Sequence, residues 1–316
     1  VSIRVLTNSE AKAHRRCSRE HHNAYELGFR SAGEDAAALR FGTLIHRALE
    51  AWWRAPRGLG IAGTLRLSHA LATLPPDTDA FDRARAVEML RGYDLRWCDE
   101  PLETIGVELE FRAPLINPAT GHESRTFVLG GKIDALALHR YENRIYIVEH
   151  KTSSDDLSPG SDYWQVLQVD TQVSTYYAGA RALGFEPAGV IYDVLGKPKQ
   201  RPLQANKSRD QPESAADYQA RIREAIASNP DRYYVRGTVV RLESEELDAQ
   251  WDTWQVARLI RESELAKRWP RNPESCRRFG RMCSYFPVCS GTASLEDPAR
   301  YRRALNVHEE LTPGWP

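Results

Sequence analysis

Two apolar, β-branched runs lying almost end to end constrain this chain more than any other feature. Residues 127–138 and 144–151 are separated only by the polar turn Arg140 to Arg144. Such runs read as strands, and a connection this short folds them into an antiparallel hairpin. With the turn centred between Tyr141 and Glu142, Asp134 falls opposite Glu149, their Cβ atoms roughly 5 Å apart. Glu149 and Lys151 are two residues apart and share one face of their strand. Three charged groups therefore converge at the end of an otherwise apolar sheet.

Two opposed carboxylates repel unless a cation lies between them. Their hard oxygens suit Mg²⁺ or Mn²⁺. Such an ion polarises a phosphate and acidifies bound water, and a neighbouring lysine can orient that water or stabilise the transition state's extra charge. The same residues on a solvent-exposed hairpin would be no more than charged edges, so the pattern needs its context.

Residues 104–116 read as a further strand, as do Ala188–Leu195 and Tyr233–Leu242. Helical signals occupy 8–27, Ala36–Arg54, 64–73, 79–98, 160–183, Asp217–Ala227 and a long stretch from Ser244 to about Trp269. Asn8 or Ser9 is the expected cap of the first. Ser244 opens the last, with acidic residues crowding its first turn. Ser31 to Asp35 reads as a polar linker, Ala55 to Gly63 as a Gly/Pro loop, and 270–316 as irregular and basic. The class is α/β, helices around a small mixed sheet.

The 316 residues, 41% hydrophobic and 27% charged, are enough for a sizeable core and unlike a disordered or fibrous chain. Lys+Arg and Asp+Glu balance at 43 each, which counts against coating nucleic acid by bulk charge but leaves room for a local basic groove. No apolar run approaches the ~20 residues of a membrane span, and Val1 to Arg16 is too polar for a signal peptide. The expected compartment is the cytoplasm, with no membrane partner.

Four segments in order then carry a resemblance: Phe41-Gly42-Thr43-Leu44-Ile45-His46, Gly131-Lys132-Ile133-Asp134, Val148-Glu149-His150-Lys151-Thr152, and Asp170-Thr171-Gln172-Val173-Ser174-Thr175-Tyr176-Tyr177. Together they resemble the RecB-like branch of the PD-(D/E)XK nuclease superfamily. The resemblance implies that Asp134, Glu149 and Lys151 are catalytic. It implies that metal is held by His46, Asp134, Glu149 and the backbone carbonyl of His150, whose side chain points to the opposite face. It also implies that Gln172 and Tyr176, four apart on one helical face, contact DNA near the scissile phosphate. Without it, His46 would be a surface histidine and Gln172–Tyr176 an ordinary half-buried pair. Glu108 and Glu110, ahead of the aspartate strand, are left as supporting or structural.

Five cysteines remain: Cys17, Cys98, Cys276, Cys283 and Cys289. In a reducing compartment a cluster points to metal or redox chemistry rather than disulfides. One N-terminal and three C-terminal cysteines are the arrangement of iron–sulfur members of this branch, similar to CRISPR spacer-acquisition nucleases and AddB-type helicase–nuclease subunits, though the Cys276–Cys283 spacing is longer than their common C-x-x-C. Four thiolates hold a [4Fe–4S] cluster or a tetrahedral zinc, and the spacing leaves both open. Cys98, beside Trp97 in a helical stretch, reads as a buried small hydrophobe. Arg15, Arg16, Arg19, Arg277, Arg278 and Arg281 flank the other four and would form a positive patch or merely a solvated surface.

These readings combine into one nuclease domain, 1–316, with a restriction-endonuclease-like core. Residues 36–102 form a helical insertion or lid and 103–200 the catalytic core. Residues 270–292 complete a four-cysteine metal centre with Cys17, joining the N- and C-terminal segments. The expected activity is metal-dependent hydrolysis of DNA phosphodiesters at ends or in single strands, and the resemblance implies products that carry 5′-phosphates. Helicase or recombination/CRISPR-type proteins are the expected partners. The competing readings are a non-catalytic DNA-binding or assembly subunit and a zinc-stapled DNA-processing endonuclease.

Overall fold

In the computed structural model of the chain, residues 3–33, 37–60, 63–206, 210–278 and 280–311 are described; Glu34, Asp35 and Ala36 of the expected linker and helix start lie outside them. The hairpin is the centre of a mixed six-stranded sheet. Its strands are β1 (Arg4–Thr7), β2 (Leu102–Ile116), β3 (Glu123–His139), β4 (Arg144–Ser153), β5 (Pro187–Gly196) and β6 (Tyr234–Val239). Helices α1 (Asn8–Arg16), α2 (Ala37–Arg54), α3 (Leu65–Ala72), α4 (Ala80–Trp97), α5 (Asp162–Leu167), α6 (Thr171–Ala182), α7 (Ala215–Ser228) and α8 (Glu243–Ala266) surround it.

The turn between β3 and β4 closes where Asn143 adopts a left-handed backbone, φ +53°, a conformation asparagine tolerates. Its N–H donates to the His139 carbonyl at 2.8 Å. From there the antiparallel ladder runs from His139↔Arg144 to Ala135↔Val148 and stops. Beyond that point β3 continues along β2 on one edge and the parallel strand β1 on the other, Arg4↔Phe127 to Thr7↔Gly130. Meanwhile β4 continues along the parallel strand β5 as far as Ser153↔Gly196. The two central strands therefore part as a fork, and Asp134 and Glu149 are the first residues past the split.

Each face of the sheet buries a separate apolar layer. On one, Ala135, Ala137, Val148 and Leu195 pack against Phe41, Ile45, Trp52 and Trp53 of α2 and against α3, α4 and α7. The two tryptophans tie α2 to α4: Trp52 Nε1 donates to Asp94 Oδ1 at 2.8 Å and Trp53 Nε1 to Tyr93 Oη at 2.9 Å. On the other, Phe111, Ile133, Ile147 and Val190 pack against Val173, Tyr177 and Ala180 of α6. Gly179 permits that approach, because a Cβ there would lie 2.6 Å from the Phe111 ring.

Several boundaries differ from the sequence expectation for local reasons. The cap of α1 is Thr7, the last residue of β1, whose hydroxyl accepts from Glu10 N–H at 3.1 Å; neither Asn8 nor Ser9 serves. The helical stretch over 8–27 breaks at Cys17, which is extended. Residues 160–183 form two helices because the buried Arg241 guanidinium takes up the carbonyls of Leu167, Gln168 and Asp170 at the break. Strand β6 ends at Val239, and α8 begins at Glu243, capped from Leu242, whose N–H donates to Glu245 Oε2 at 2.8 Å. Cys98 is the half-exposed C-cap of α4 and not a buried core residue.

Candidate active site

The fork positions three groups by strand geometry alone. Asp134 and Glu149 are 8% and 1% exposed. One oxygen of Asp134 stands in for the carbonyl that the ladder would have supplied: Oδ2 accepts the His150 N–H at 2.8 Å. The same oxygen lies 2.8 Å from His46 Nε2, brought in by α2 from the helical layer. Gly42, one turn earlier, lets α2 come this near, since a Cβ there would meet Thr152 Oγ1 at 3.3 Å.

Glu149 faces the other layer. Its Oε1 accepts from Lys151 Nζ and, at 3.1 Å, from Gln172 Nε2, which also donates to Tyr176 Oη at 2.6 Å. Asp170 sets Gln172 in the first turn of α6 by accepting its N–H at 2.9 Å. Glu149 Oε2 is buried and has no hydrogen-bond partner among the described residues. An unsatisfied buried carboxylate oxygen is costly, and this one is the strongest sign that the donor set suits a cation.

Charge divides the two acids. Burial is the largest influence on both and favours their neutral forms. At Asp134 it is outweighed by His46, then His150 and Lys151, which hold the carboxyl well below the usual range. At Glu149 the Asp134 charge adds to burial, and the carboxyl is pushed up. His46 is pushed up despite burial by Asp134 and Glu149. Burial lowers the Lys151 ammonium, but Glu149 and Asp134 dominate and raise it. Lys151 is thus held in its charged form.

The side chain of His150 turns away into the helical layer, where Nδ1 lies 3.1 Å from Asp193 Oδ2. Tyr93 donates to the same oxygen, and Arg236 Nε donates to Oδ1 at 2.8 Å. This buried network locks the strand that carries Glu149 and Lys151. Sequence reading passed over Asp193 because it sits within an apolar strand; one charge inside such a run was the available signal. Glu108 was left open. It lies on β2 with a left-handed backbone, φ +54°, forms an ion pair with Lys132, and is pushed up by burial with Asp134 adding.

The two cysteine regions dock together. Trp269 stacks on His22 with ring centroids 3.6 Å apart, and Asn272 Nδ2 and Ser275 Oγ both donate to the Arg16 carbonyl at 2.9 Å. The Asn272 N–H approaches Cys17 Sγ at 3.5 Å, and the Cys283 N–H donates to the Cys276 carbonyl at 2.7 Å. Burial raises the thiols of Cys283 and Cys289, and in both Cys17 adds to the effect. All five cysteines are free thiols. Among the described residues no three His, Cys, Asp or Glu side chains are arranged as a ready metal-holding group.

A mixed sheet flanked by helices, split at its centre around two buried carboxylates and a lysine, defines a mixed α/β protein consistent with the restriction-endonuclease-like fold. The chain belongs to the PD-(D/E)XK nuclease superfamily, whose family profile matches residues 5–290. No curated protein matches it. Among solved structures it is similar to the one titled "Crystal structure of SSO0001", with 12% identity and a TM-score of 0.36 over 93% of this chain and 90% of that chain, too distant a likeness to carry an argument. Nucleases of this family generally use divalent metals such as Mg²⁺. Among the described residues, no helix is long and apolar enough to cross a membrane.

Proposed function

We propose that the chain is a divalent-metal-dependent deoxyribonuclease of the RecB-like branch, acting on DNA ends or single strands. The observation that carries this is the fork itself, with Glu149 Oε2 buried and unpartnered beside Asp134. Asp134, Glu149, His46 and the His150 carbonyl would hold Mg²⁺ or Mn²⁺. Bound there, the ion supplies a Lewis acid and an acidified water. Asp134 and Glu149 supply the anionic charge, and the contacts of His46 and the His150 amide fix Asp134. Lys151, protonated on the face of Glu149, stabilises negative charge as the phosphodiester is attacked. We take 103–200 as the catalytic core of one nuclease domain and 36–102 as a helical insertion walling one side. The direct test is cleavage of end-labelled single- and double-stranded DNA with Mg²⁺, with Mn²⁺ and with chelator. Metal-dependent release of 5′-phosphorylated products is expected. Binding without cleavage in any metal would make the chain a DNA-binding subunit.

Gln172 and Tyr176 are read as positioning groups. Gln172→Ala and Tyr176→Phe are expected to lower cleavage at subsaturating DNA about 10-fold each, the scale of a lost hydrogen bond to a charged group, and much less than loss of a carboxylate. Wild-type rates in both would leave that helix face purely structural.

For Cys17, Cys276, Cys283 and Cys289 we propose a [4Fe–4S] cluster, with zinc as the alternative. Support comes from the docking of the two chain regions around these thiols. Each Cys→Ser change among the four is expected to deplete iron and sulfide and lower the melting temperature, because an incomplete centre releases the link between distant segments. Cys98→Ser, at a half-exposed helix end, should do neither. Full iron content in Cys17→Ser would detach that residue, and stoichiometric zinc in anaerobically purified protein would replace the cluster.

A further inference from the structure

Beyond the fork, at the C-terminal end of α2, lies an open cleft of about 520 Å³ lined by Arg54, Arg57, Arg66, Arg140 and, among acidic residues, Glu103 alone. Arg66 is the unusual member. It is 3% exposed, and its guanidinium carbon lies over Trp52, 4.2 Å from the ring centroid. Among the described residues no carboxylate forms an ion pair with it. Its polar contacts among the described residues are at the limit of hydrogen bonding: Nε to the Ala55 carbonyl at 3.4 Å and Nη2 to Thr104 Oγ1 at 3.5 Å. Its Nη1 is buried with no partner among the described residues. Burial, with the neighbouring Arg57 adding, pulls its pKa down, against the smaller upward pull of Glu100 and Asp94. Arg57 is committed, donating to the carbonyls of Glu100 and Leu102, and Arg54 pairs with Glu50. Arg140 is exposed and its side chain has no partner among the described residues.

A buried cation with no carboxylate in direct contact is expensive to keep, and a planar guanidinium is shaped for phosphate or carboxylate. The cleft also has a fixed relation to the fork. Trp53, which lines it, sits two turns along α2 from His46, roughly 10 Å at 1.5 Å per residue. Val107, another lining residue, pairs with Ala135, the neighbour of Asp134.

We propose that this cleft is a phosphate subsite that grips the nucleic-acid strand close to the bond cut at the fork. It rests on the nuclease reading above. Arg66 is the buried anchor and Arg140 the exposed outer contact.

The test is binding in EDTA, where no cleavage interferes. The probe is a short single-stranded DNA with a 3′ fluorophore and either a 5′-hydroxyl or a 5′-phosphate, followed by anisotropy across a salt series. Arg66→Met keeps the apolar stack on Trp52; Arg140→Ala touches nothing structural and decides alone if Arg66→Met fails to fold by circular dichroism. Binding is expected to weaken about 10-fold in Arg66→Met and about 3-fold in Arg140→Ala. The slope of log affinity against log salt should fall by about 0.7 for each lost phosphate contact. Equal losses for both probes assign an internal phosphate, and losses confined to the 5′-phosphate probe assign the strand end. Variants that bind like wild type with unchanged slopes overturn the subsite while leaving the nuclease reading intact. Sodium phosphate that raises the melting temperature of the wild type but not of Arg66→Met, at matched ionic strength and with unchanged strand binding, would make the cleft a free-anion site and overturn the strand assignment. Failure of the wild type to bind either probe, together with no cleavage in Mg²⁺ or Mn²⁺, would remove both readings.

Discussion

Asp134→Asn and Glu149→Gln are each expected to reduce metal-dependent cleavage about 1000-fold or more, while moving the melting temperature of the metal-free protein in opposite directions. Each variant removes one of two anionic groups aimed into the fork, so the loss of activity is common to both. Their stability effects differ because the site divides their charges. Asp134 is ionised more readily in the folded chain than in the unfolded one, as His46, His150 and Lys151 overcome burial. Its contribution is present above the unfolded aspartate value of about 3.9 and is lost as pH falls through the lower folded value. At neutral pH Asp134→Asn therefore lowers the melting temperature. Glu149 is the reverse case. Burial and Asp134 raise it, so the ionised form burdens the fold above the unfolded glutamate value of about 4.3. Glu149→Gln then raises the melting temperature in chelator, since Lys151, partly exposed, can turn to solvent. Wild-type turnover in either variant would sink the site assignment. Melting shifts of the same sign at neutral pH would instead refute the division of charge.

The second large effect belongs to Lys151. Lys151→Ala is expected to lose about 10²–10³ in turnover, the range for a donor aimed at transition-state charge. It should still bind Mn²⁺ in calorimetry, because it removes no oxygen ligand and even relieves Glu149 Oε1 of one of its two donors, leaving Gln172. Lys151→Arg should recover part of the rate, since the charge is kept while the planar head alters its placement. Abolished Mn²⁺ binding with preserved residual chemistry would reverse the assignment and make Lys151 a support for Glu149.

Much of this site was legible in the chain. The two β-branched runs and the short turn between them determined an antiparallel pair, and period-2 alternation put Glu149 and Lys151 on one face and His150 on the other. The spacing of Gln172 and Tyr176 put both on one turn of helix, and they do hydrogen-bond to each other. These are local relations, set by strand and helix periods over a few residues. Helix ends were less legible because their caps depend on what precedes them: Thr7 caps α1 only because β1 delivers it extended, and Cys17 breaks the following stretch.

Tertiary structure decided what sequence spacing could not. The hairpin pattern implied a continuous ladder, but the ladder stops at Ala135↔Val148 because β3 turns to β1 while β4 follows β5. That parting opens the fork, buries Glu149 and leaves one of its oxygens without a partner. Asp193, 43 residues beyond His150, becomes its partner only when β5 lies beside β4. Arg66 meets Trp52 and the cleft only when α3 folds back on α2. Periodicity fixes which residues share a face within one element; which faces meet, and which charges lose water when they do, is set by the packing of elements far apart in the chain.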